Sequence, residues 1–234
     1  MNRLEAQWLA ARLADIPDEQ LFPLLNVGSS TGAFRTQVQP YIDDLIFRPL
    51  RERGGKVVHL DIKPAEGVDM VGDLVDPKFL AEIAKLKVRS IMVSNLFEHV
   101  SDRAAICDVL MKILPSDGYL IVSGPRDYPY HADPIDTMFR PSVREMHEHF
   151  PGTEIVESAI IDSGNWRQWD PAERGRPLGR VLLRLLAPFY RPGKWYELAR
   201  QSGYIWKHIT AFGVILRKMP AGAVARSDVG GWAR

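Results

Sequence analysis

Short runs rich in Val, Ile and Leu alternate along this chain with longer segments whose apolar residues recur at helical spacing. Strands that are apolar on both faces are buried between two layers of helices. The alternation therefore predicts the α/β class, with a mostly parallel seven-stranded sheet and helices on both faces. The predicted strands are residues 24–27, 56–61, 69–71, 90–94, 119–123, 153–161 and 208–217. The predicted helices are residues 34–53, broken at Pro40 and Pro49, then 78–86 and 103–113.

The spacing of these elements predicts the organisation of the chain. With 234 residues, 46 % of them hydrophobic, the chain can bury one core, and residues 1–218 are predicted to form a single domain. Residues 1–20 are predicted to be a helical extension of that domain. The last two strands are too far apart for a hairpin, which indicates an insertion at 163–207. Residues 219–234 are small and glycine-rich, and we predict a flexible tail there.

The first predicted strand ends in the turn Gly28-Ser-Ser-Thr-Gly32. In an open α/β sheet the first strand-to-helix turn borders the ligand crevice, where glycines let a ligand approach the backbone. Ser30 stands where a dinucleotide fingerprint has its second glycine, which makes NAD or FAD less favoured, and no Gly-Lys-Ser/Thr follows, which excludes a P-loop. A tight connection that contacts no ligand is the alternative interpretation.

Acidic residues end the next two strands. Asp61 closes the second strand, where a carboxylate can bind the two hydroxyls of a ribose. Asp73 follows the third strand, where it can accept from the exocyclic amine of an adenine while Leu74 covers the ring face. For both acids a turn cap is the alternative interpretation. The order of glycine turn, ribose acid and adenine acid on three consecutive strands favours a nucleoside-containing ligand.

At these residues the sequence resembles the Rossmann-like S-adenosylmethionine-dependent methyltransferases, over most of residues 21–161. The stretches "LLNVGSSTG", "HLDI" and "DMVGDL" are similar to the first three motifs of that family. The stretch "SIMVSNLFEHVSDRAAICDVLMKILPSDGYLIVSGP" resembles the subgroup that methylates small molecules, lipids and glycans. The family resemblance implies S-adenosylmethionine as the cofactor, with Asn95 of this stretch among the residues that contact it.

The resemblance also assigns the glycine turn to the amino-acid part of the cofactor. Gly28 and Gly32 would allow backbone approach, and Asn26 or Ser30 would contact polar atoms. The sequence departs from the family at two of these positions, since Asn26 stands where an acid is common and Ser30 where a glycine is common. Asn can still accept a hydrogen bond. A protein that keeps the fold but has lost methyl transfer is therefore the rival hypothesis, and a dehydrogenase is a more distant one.

Two histidines are candidate catalytic residues. Methyl transfer from a sulfonium needs a base only when the acceptor atom carries a proton, and histidine titrates near neutrality. His99 follows the fourth strand and His131 follows the fifth, so both are predicted at the functional edge of the sheet. His99 has the alternative role of shaping the cofactor pocket. These histidines favour an oxygen acceptor in a small molecule or glycan. The loop around His131 contains oxygen and nitrogen atoms that could hold a metal, but we predict no metal site.

The remaining features restrict partners and location. Lys and Arg total 30 against 29 Asp and Glu, which gives no reason to expect a nucleic-acid partner. Cys107 is the single cysteine and is predicted to be a core residue rather than a nucleophile. The N-terminal sequence lacks a secretory pattern, and no apolar stretch approaches the roughly 20 residues that span a bilayer. We therefore predict a cytoplasmic protein.

The insertion carries the one strong charge excess. Residues 166–200 contain eight Lys or Arg and three acids, and Arg176, Arg180 and Arg184 recur every four residues between apolar side chains. This pattern is typical of a basic amphipathic helix and is compatible with peripheral contact of residues 176–191 with an anionic membrane. A lid whose apolar side packs on its own domain is the favoured alternative. A third interpretation is a segment that covers the active site and admits a lipid-linked or anionic glycan acceptor.

Overall fold

Seven strands form one sheet in the structure, a computed structural model that describes residues 1–130, 135–165 and 206–220 together with Trp195. The strands are β1 Leu24–Val27, β2 Val57–Asp61, β3 Met70–Val71, β4 Ser90–Ser94, β5 Tyr119–Asp127, β6 Thr153–Asp162 and β7 Thr210–Lys218. Their order across the sheet is β3-β2-β1-β4-β5-β7-β6. β7 is antiparallel to both of its neighbours, and all other pairs are parallel. The predicted α/β class and its seven strands are confirmed, and the sheet is mixed.

Strand bounds agree with the sequence pattern to within two residues, except at the end of β5. The two central strands β1 and β4 begin and end where predicted, because both are apolar runs between clear turn residues. β5 continues four residues beyond the predicted end at residue 123, through Gly124 and Pro125. Its extension pairs with β7, with a register irregularity between Pro125 and Asp127. Pairing with an antiparallel neighbour thus lengthens a strand whose own sequence signals an end.

The helices flank the sheet. They are α1 Arg3–Asp15, α2 Asp18–Leu21, α3 Pro40–Ile42, α4 Arg48–Glu52, α5 Pro77–Ala84, α6 Arg103–Ile113 and α7 Val143–Glu148, with π-helical turns at Phe34–Val38 and Asp43–Phe47 and a 3₁₀ turn at Phe97–His99. Pro40 interrupts the predicted helix 34–53 as expected. At Pro49 the backbone stays helical, because Phe47 and Arg48 keep helical dihedrals and the π-helical turn passes directly into α4. Pro49 lies in the first turn of α4, where its missing donor is not needed. α7 was not predicted.

Alternating strand residues supply two separate cores. Leu25 of β1 belongs to the core beneath α5, α6 and α7, and Leu24 belongs to the core beneath α1 and the helices after β1. The same division recurs at Ile91 and Met92 of β4. Because successive side chains of a strand point to opposite faces, this split shows that both faces of the sheet are covered.

Helix α1 is an integral part of the second core. Asn2 caps its first turn and forms a reciprocal capping box with Glu5. Leu9 and Leu13 are fully or almost fully buried, and a Cβ at Gly213 of β7 would lie 2.5 Å from the Trp8 ring. The helical extension predicted at residues 1–20 is therefore packed directly on the sheet.

Several predicted features lie outside the described residues. These are His131, the basic row Arg176, Arg180 and Arg184, most of the insertion 163–207 and the tail from 221 onward. Within the described part of the chain, no helix combines the length and the apolar character needed to cross a bilayer. The membrane contact and the domain bounds stay predictions.

The burial of α1 gives a direct test of its structural role. We expect Leu9→Ala to lower the free energy of unfolding by about 2–5 kcal/mol, because Leu9 is fully buried and truncation leaves a cavity. Leu4→Ala is the matched control on the same helix, since Leu4 is 45 % exposed and should cost less than about 0.5 kcal/mol. Chemical denaturation followed by circular dichroism measures both. Equal losses in the two variants would contradict the packing described for α1.

Candidate active site

Polar residues converge where the carboxyl ends of the central strands meet. β1 lies between β2 and β4, and at this point the strand order reverses. Such a switch point is where open α/β sheets bind ligands. Gly28 follows β1, Asp61 ends β2 and Asn95 follows β4, so the topology brings three of the predicted site residues to one edge.

The glycine turn has a backbone that most residues avoid. Gly28 has a φ of 69° and Ser30 a φ of 56°, and for Ser30 this left-handed conformation costs on the order of 1 kcal/mol. A Cβ at Gly28 would lie 2.9 Å from Leu96 Cδ1, and one at Gly32 would lie 3.1 Å from the Glu66 carbonyl oxygen. Gly28 is therefore favoured by its left-handed backbone, and Gly32 by its close approach to the backbone at Glu66.

Arg35 fastens this turn, and sequence reasoning missed it. Its side chain is buried, and its guanidinium donates to the carbonyl oxygens of Ser29 at 2.7 Å, Ser30 at 2.8 Å and Gly67 at 2.5 Å. Burial lowers the pKa of Arg35, and the nearby charges of Asp69 and Asp43 partly oppose that shift. A single buried cation therefore joins the glycine turn to the loop between β2 and β3.

Asp61 reaches from β2 to the same turn. Its Oδ2 accepts from the Ser30 amide at 2.8 Å and its Oδ1 accepts from the Lys63 amide at 3.0 Å. A carboxylate has about four acceptor positions, so two further hydrogen bonds can be made. The exposed side chain of Ile62 follows directly and offers an apolar surface beside the carboxylate.

The residues predicted on the adenine side are placed differently. Asp73 Oδ1 accepts from the Val75 amide at 3.1 Å, so the turn cap given as the alternative interpretation is present. The Asp73 side chain is exposed and could also meet a ligand. Leu74 is only 6 % exposed and packs in the core beneath α5 and α6, so little of it can cover a ring. Exposed apolar side chains nearby are Ile62, Val71 and Val75.

Asn26 is buried and contacts a second residue that sequence reasoning missed. Its Nδ2 lies 3.0 Å from Nδ1 of His59 on β2, and the Asn26 amide must donate to that ring nitrogen. Burial, and then the positive charge of Arg35, lowers the pKa of His59 to about 4. The ring is therefore neutral near neutral pH and supports β1 from its neighbouring strand.

A buried carboxylate from α1 organises the ends of β4 and β5. Glu5 is 1 % exposed, and its Oε1 accepts from Asn95 Nδ2 and from the Ser123 hydroxyl, each at 2.8 Å. Asn95 has a φ of 51°, and its amide donates to the Ser123 carbonyl at 2.9 Å. Asn95, predicted to contact a cofactor, is thus held by a helix that the sequence placed outside the site.

His99 lies on the same edge of the sheet, in the 3₁₀ turn after β4. Its Nδ1 is 2.6 Å from the Ile135 carbonyl oxygen, which can only accept, so this nitrogen carries the proton. The other ring nitrogen, Nε2, lies 3.9 Å from Glu98 Oε1. Glu98 is 2 % exposed, and burial raises its pKa, while its own backbone amide and His99 oppose that rise.

Ile135 and Thr137, in the described part of the segment after β5, contact this turn. Thr137 donates to the Glu98 carbonyl through its amide at 2.8 Å and its hydroxyl at 3.0 Å. Arg140 pairs with the buried Asp136 through both terminal guanidinium nitrogens: Nη2 donates to Oδ2 at 2.7 Å and Nη1 donates to Oδ1 at 3.1 Å. Burial, and then the charge of Glu5, raises the pKa of Tyr128 at the start of the segment. His131, the other predicted base, lies outside the described residues.

Metal and thiol chemistry find no support in the described residues. No group of three or more His, Cys, Asp or Glu side chains there could hold a metal ion. Cys107 is buried on α6, and burial raises the pKa of its thiol to about 12. Because the thiolate is the reactive form, Cys107 is a core residue, as predicted.

Comparison with known proteins identifies the fold. No protein-family model and no curated protein matches the sequence. A protein of Galdieria sulphuraria provisionally assigned as a sarcosine dimethylglycine methyltransferase is similar, with a TM-score of 0.51, 14 % identity, and coverage of 92 % of this chain and 85 % of that one. A provisionally assigned methyltransferase of Thermobifida fusca YX has a TM-score of 0.50 and 13 % identity, and the match covers 93 % of this chain and 80 % of that one. The MccD protein has a TM-score of 0.51 and 12 % identity, and the match covers 92 % of this chain and 96 % of that one.

At these identities the likeness shows the fold alone. The chain has the α/β fold of these proteins, two of which carry the name methyltransferase, and the fold implied by the family resemblance is thereby confirmed. The activities in the names of those proteins are not assigned to this chain by the likeness.

The shifted pKa of His59 predicts a pH dependence of stability. Between about pH 6.5 and pH 4 the unfolded chain binds a proton that the folded chain excludes, so stability falls as the pH falls through this window. The loss approaches roughly 3 kcal/mol at its lower end. In His59→Gln, whose side-chain oxygen can still accept from Asn26, this contribution to the pH dependence of the free energy of unfolding should vanish. Denaturation at about pH 7 and about pH 4.5 measures the change in stability. An identical change in both proteins would contradict a neutral, half-buried His59.

Proposed function

We propose that this protein is an S-adenosylmethionine-dependent methyltransferase that methylates an oxygen of a small-molecule or glycan acceptor. The observation that carries the proposal is Asp61. It ends β2 at the switch point, binds the glycine turn through Ser30, and keeps acceptor capacity for two vicinal hydroxyls. A carboxylate that served only as a turn cap would need no more than the bond to the Lys63 amide.

The surroundings of Asp61 suit the nucleoside part of this cofactor. Ile62 is 63 % exposed directly beside the carboxylate, and Val71 and Val75 add exposed apolar surface at the ends of β2 and β3. Such surface can cover an adenine ring, while Asp73 and its exposed carboxylate can accept from the exocyclic amine. Gly28, Ser30, Gly32 and Asn26 would border the amino-acid part. When bound, the cofactor supplies an activated methyl group on a sulfonium.

The role of the chain's own residues is to position the acceptor and accept its proton. His99 is suited to the second task, because the Ile135 carbonyl fixes the proton on Nδ1 and leaves the lone pair on Nε2. The Glu98 carboxylate, 3.9 Å away, attracts the positive charge that the ring gains. His131 remains the second candidate base.

The rival proposal is a protein that binds the cofactor without transferring its methyl group. Asn26 favours it, because a buried amide that donates to His59 replaces the acid common in the family. Incubation of cell extracts with the protein and methyl-labelled cofactor, followed by mass spectrometry, separates the two. Labelled product supports the enzyme, whereas cofactor binding without any labelled product supports the rival. A cytoplasmic location and contact of residues 176–191 with an anionic membrane stay predictions of the sequence.

The first prediction concerns the cofactor. We expect Asp61→Asn to weaken S-adenosylmethionine binding by about 1.5–3 kcal/mol, because a charged acceptor for the ribose hydroxyls becomes a neutral amide. Asp76→Asn is the control, since Asp76 only caps α5 through the Lys78 amide and Asn caps a helix equally well. Isothermal titration calorimetry measures both. If a folded Asp61→Asn variant binds S-adenosylmethionine with unchanged affinity, Asp61 has only a structural role in its turn.

The second prediction concerns the base. If His99 accepts the acceptor proton, His99→Ala should lower the rate by about 10²- to 10⁴-fold with little change in cofactor affinity. His131→Ala is the parallel variant. A loss confined to His131→Ala would transfer the role to His131, and full activity of both variants would mean that the acceptor needs no histidine. Single-turnover rates and calorimetry distinguish these outcomes.

A further inference from the structure

We propose that Arg35 is a positioning residue for the cofactor, which sets the affinity of the site by holding the Ser29–Ser30 peptide in the orientation that Asp61 requires. This inference rests on the proposed function. It gives a specific role to a residue that touches the turn and the loop opposite it.

A single peptide unit, between Ser29 and Ser30, is held at both of its polar groups. The carbonyl oxygen of Ser29 accepts from Arg35 Nη1 at 2.7 Å, and the amide of Ser30 donates to Asp61 Oδ2 at 2.8 Å. In a trans peptide the carbonyl and the following N–H point in opposite directions. Arg35 and Asp61 therefore grip the same plane from its two sides, and rotation of that plane would break both contacts.

The following peptide, between Ser30 and Thr31, is held by Arg35 at its carbonyl oxygen. The Ser30 carbonyl also accepts from Arg35 Nη1, at 2.8 Å. Ser30 is in a left-handed conformation that a non-glycine residue keeps only when its surroundings enforce it. The two carbonyl contacts of Arg35 and the amide contact of Asp61 supply that enforcement. Without Arg35 the turn keeps the bond from the Ser29 amide to the Leu60 carbonyl at 3.0 Å and the bond from the Ser29 hydroxyl to the Ser30 carbonyl at 3.1 Å. It loses both guanidinium contacts, so the Ser29–Ser30 peptide is held from the Asp61 side alone.

Arg35 also brings the loop after β2 against the turn. Nη2 donates to the Gly67 carbonyl at 2.5 Å, and the Gly32 amide donates to the Glu66 carbonyl at 2.8 Å. A Cβ at Gly67 would lie 2.6 Å from Gly32 Cα, so the two backbones are in direct contact. The loop begins at Ile62, beside Asp61, and its placement therefore affects the wall of the proposed nucleoside pocket.

Lysine cannot replace this arrangement. The guanidinium is a rigid planar fork that reaches three carbonyl oxygens at once, whereas an ammonium is a compact charge on a flexible stem. Conservation of charge alone should therefore not preserve the effect. That difference separates a positioning role from a general electrostatic one.

The experiment is cofactor titration of Arg35→Ala and Arg35→Lys by calorimetry, with Arg53→Ala as the matched control. Arg53 also donates to two backbone carbonyls, of Leu13 and Ile16, but far from the switch point at the opposite ends of β1 and its neighbours. We expect affinity to fall about 10- to 100-fold in Arg35→Ala and about 10-fold in Arg35→Lys, and to be unchanged in Arg53→Ala. Guanidinium ion at a non-denaturing concentration should restore part of the affinity of Arg35→Ala.

A second pair of variants tests the loop if Arg35→Ala does not fold. Gly67 and Gly152 both have a φ of 80°, but only Gly67 is crowded, since a Cβ at Gly152 meets nothing within 4 Å. Both alanine variants carry the same backbone strain, and only Gly67→Ala should weaken cofactor binding. If wild-type protein does not bind S-adenosylmethionine, the proposed function fails and this inference falls with it. If wild type binds and Arg35→Lys and Gly67→Ala bind equally well, the inference alone is overturned.

Discussion

The structure depends on β1 being paired in parallel with β2 on one side and β4 on the other. All four residues of β1 are buried, so its register is fixed by two ladders and by packing on both faces of the sheet. Because the register of β1 is fixed, the position of the turn that follows it is fixed too. Because parallel neighbours end at the same edge, that place is shared with Asp61 and with the turn after β4.

Buried charges then fix the loops that the sheet brings together. Arg35 binds three carbonyl oxygens, and Glu5 binds Asn95 and Ser123, although neither makes a salt bridge within the described part of the chain. A buried charge is costly unless hydrogen bonds satisfy it, so each of these contacts is strongly determined. The site is therefore built from one cation beneath the glycine turn and one carboxylate beneath the turn after β4.

Sequence patterns predicted the elements well where local and tertiary preferences agree. β1, β4 and α6 have the predicted bounds, because apolar runs between turn residues and a capped amphipathic segment specify them locally. β5 is longer than predicted because β7 pairs with it, and Pro49 continues a helix that its residue type suggested would break. Leu74, predicted to cover the ring face of an adenine, is 6 % exposed and packs in a core, because the two-residue strand before it gave no clue to the face it occupies. Its contact with a ligand stays a prediction.

The sequence by itself determined the α/β class, the order of the strands along the chain, and the glycine turn and acid that resemble a methyltransferase. These features follow from hydrophobic periodicity and turn chemistry, which act between residues close in sequence. Only the tertiary structure decided that Arg35, His59 and Glu5 belong to the site. Their partners are 5 to 118 residues away along the chain. A buried arginine, a neutral histidine and an N-terminal glutamate look like ordinary polar residues until the sheet places those partners beside them.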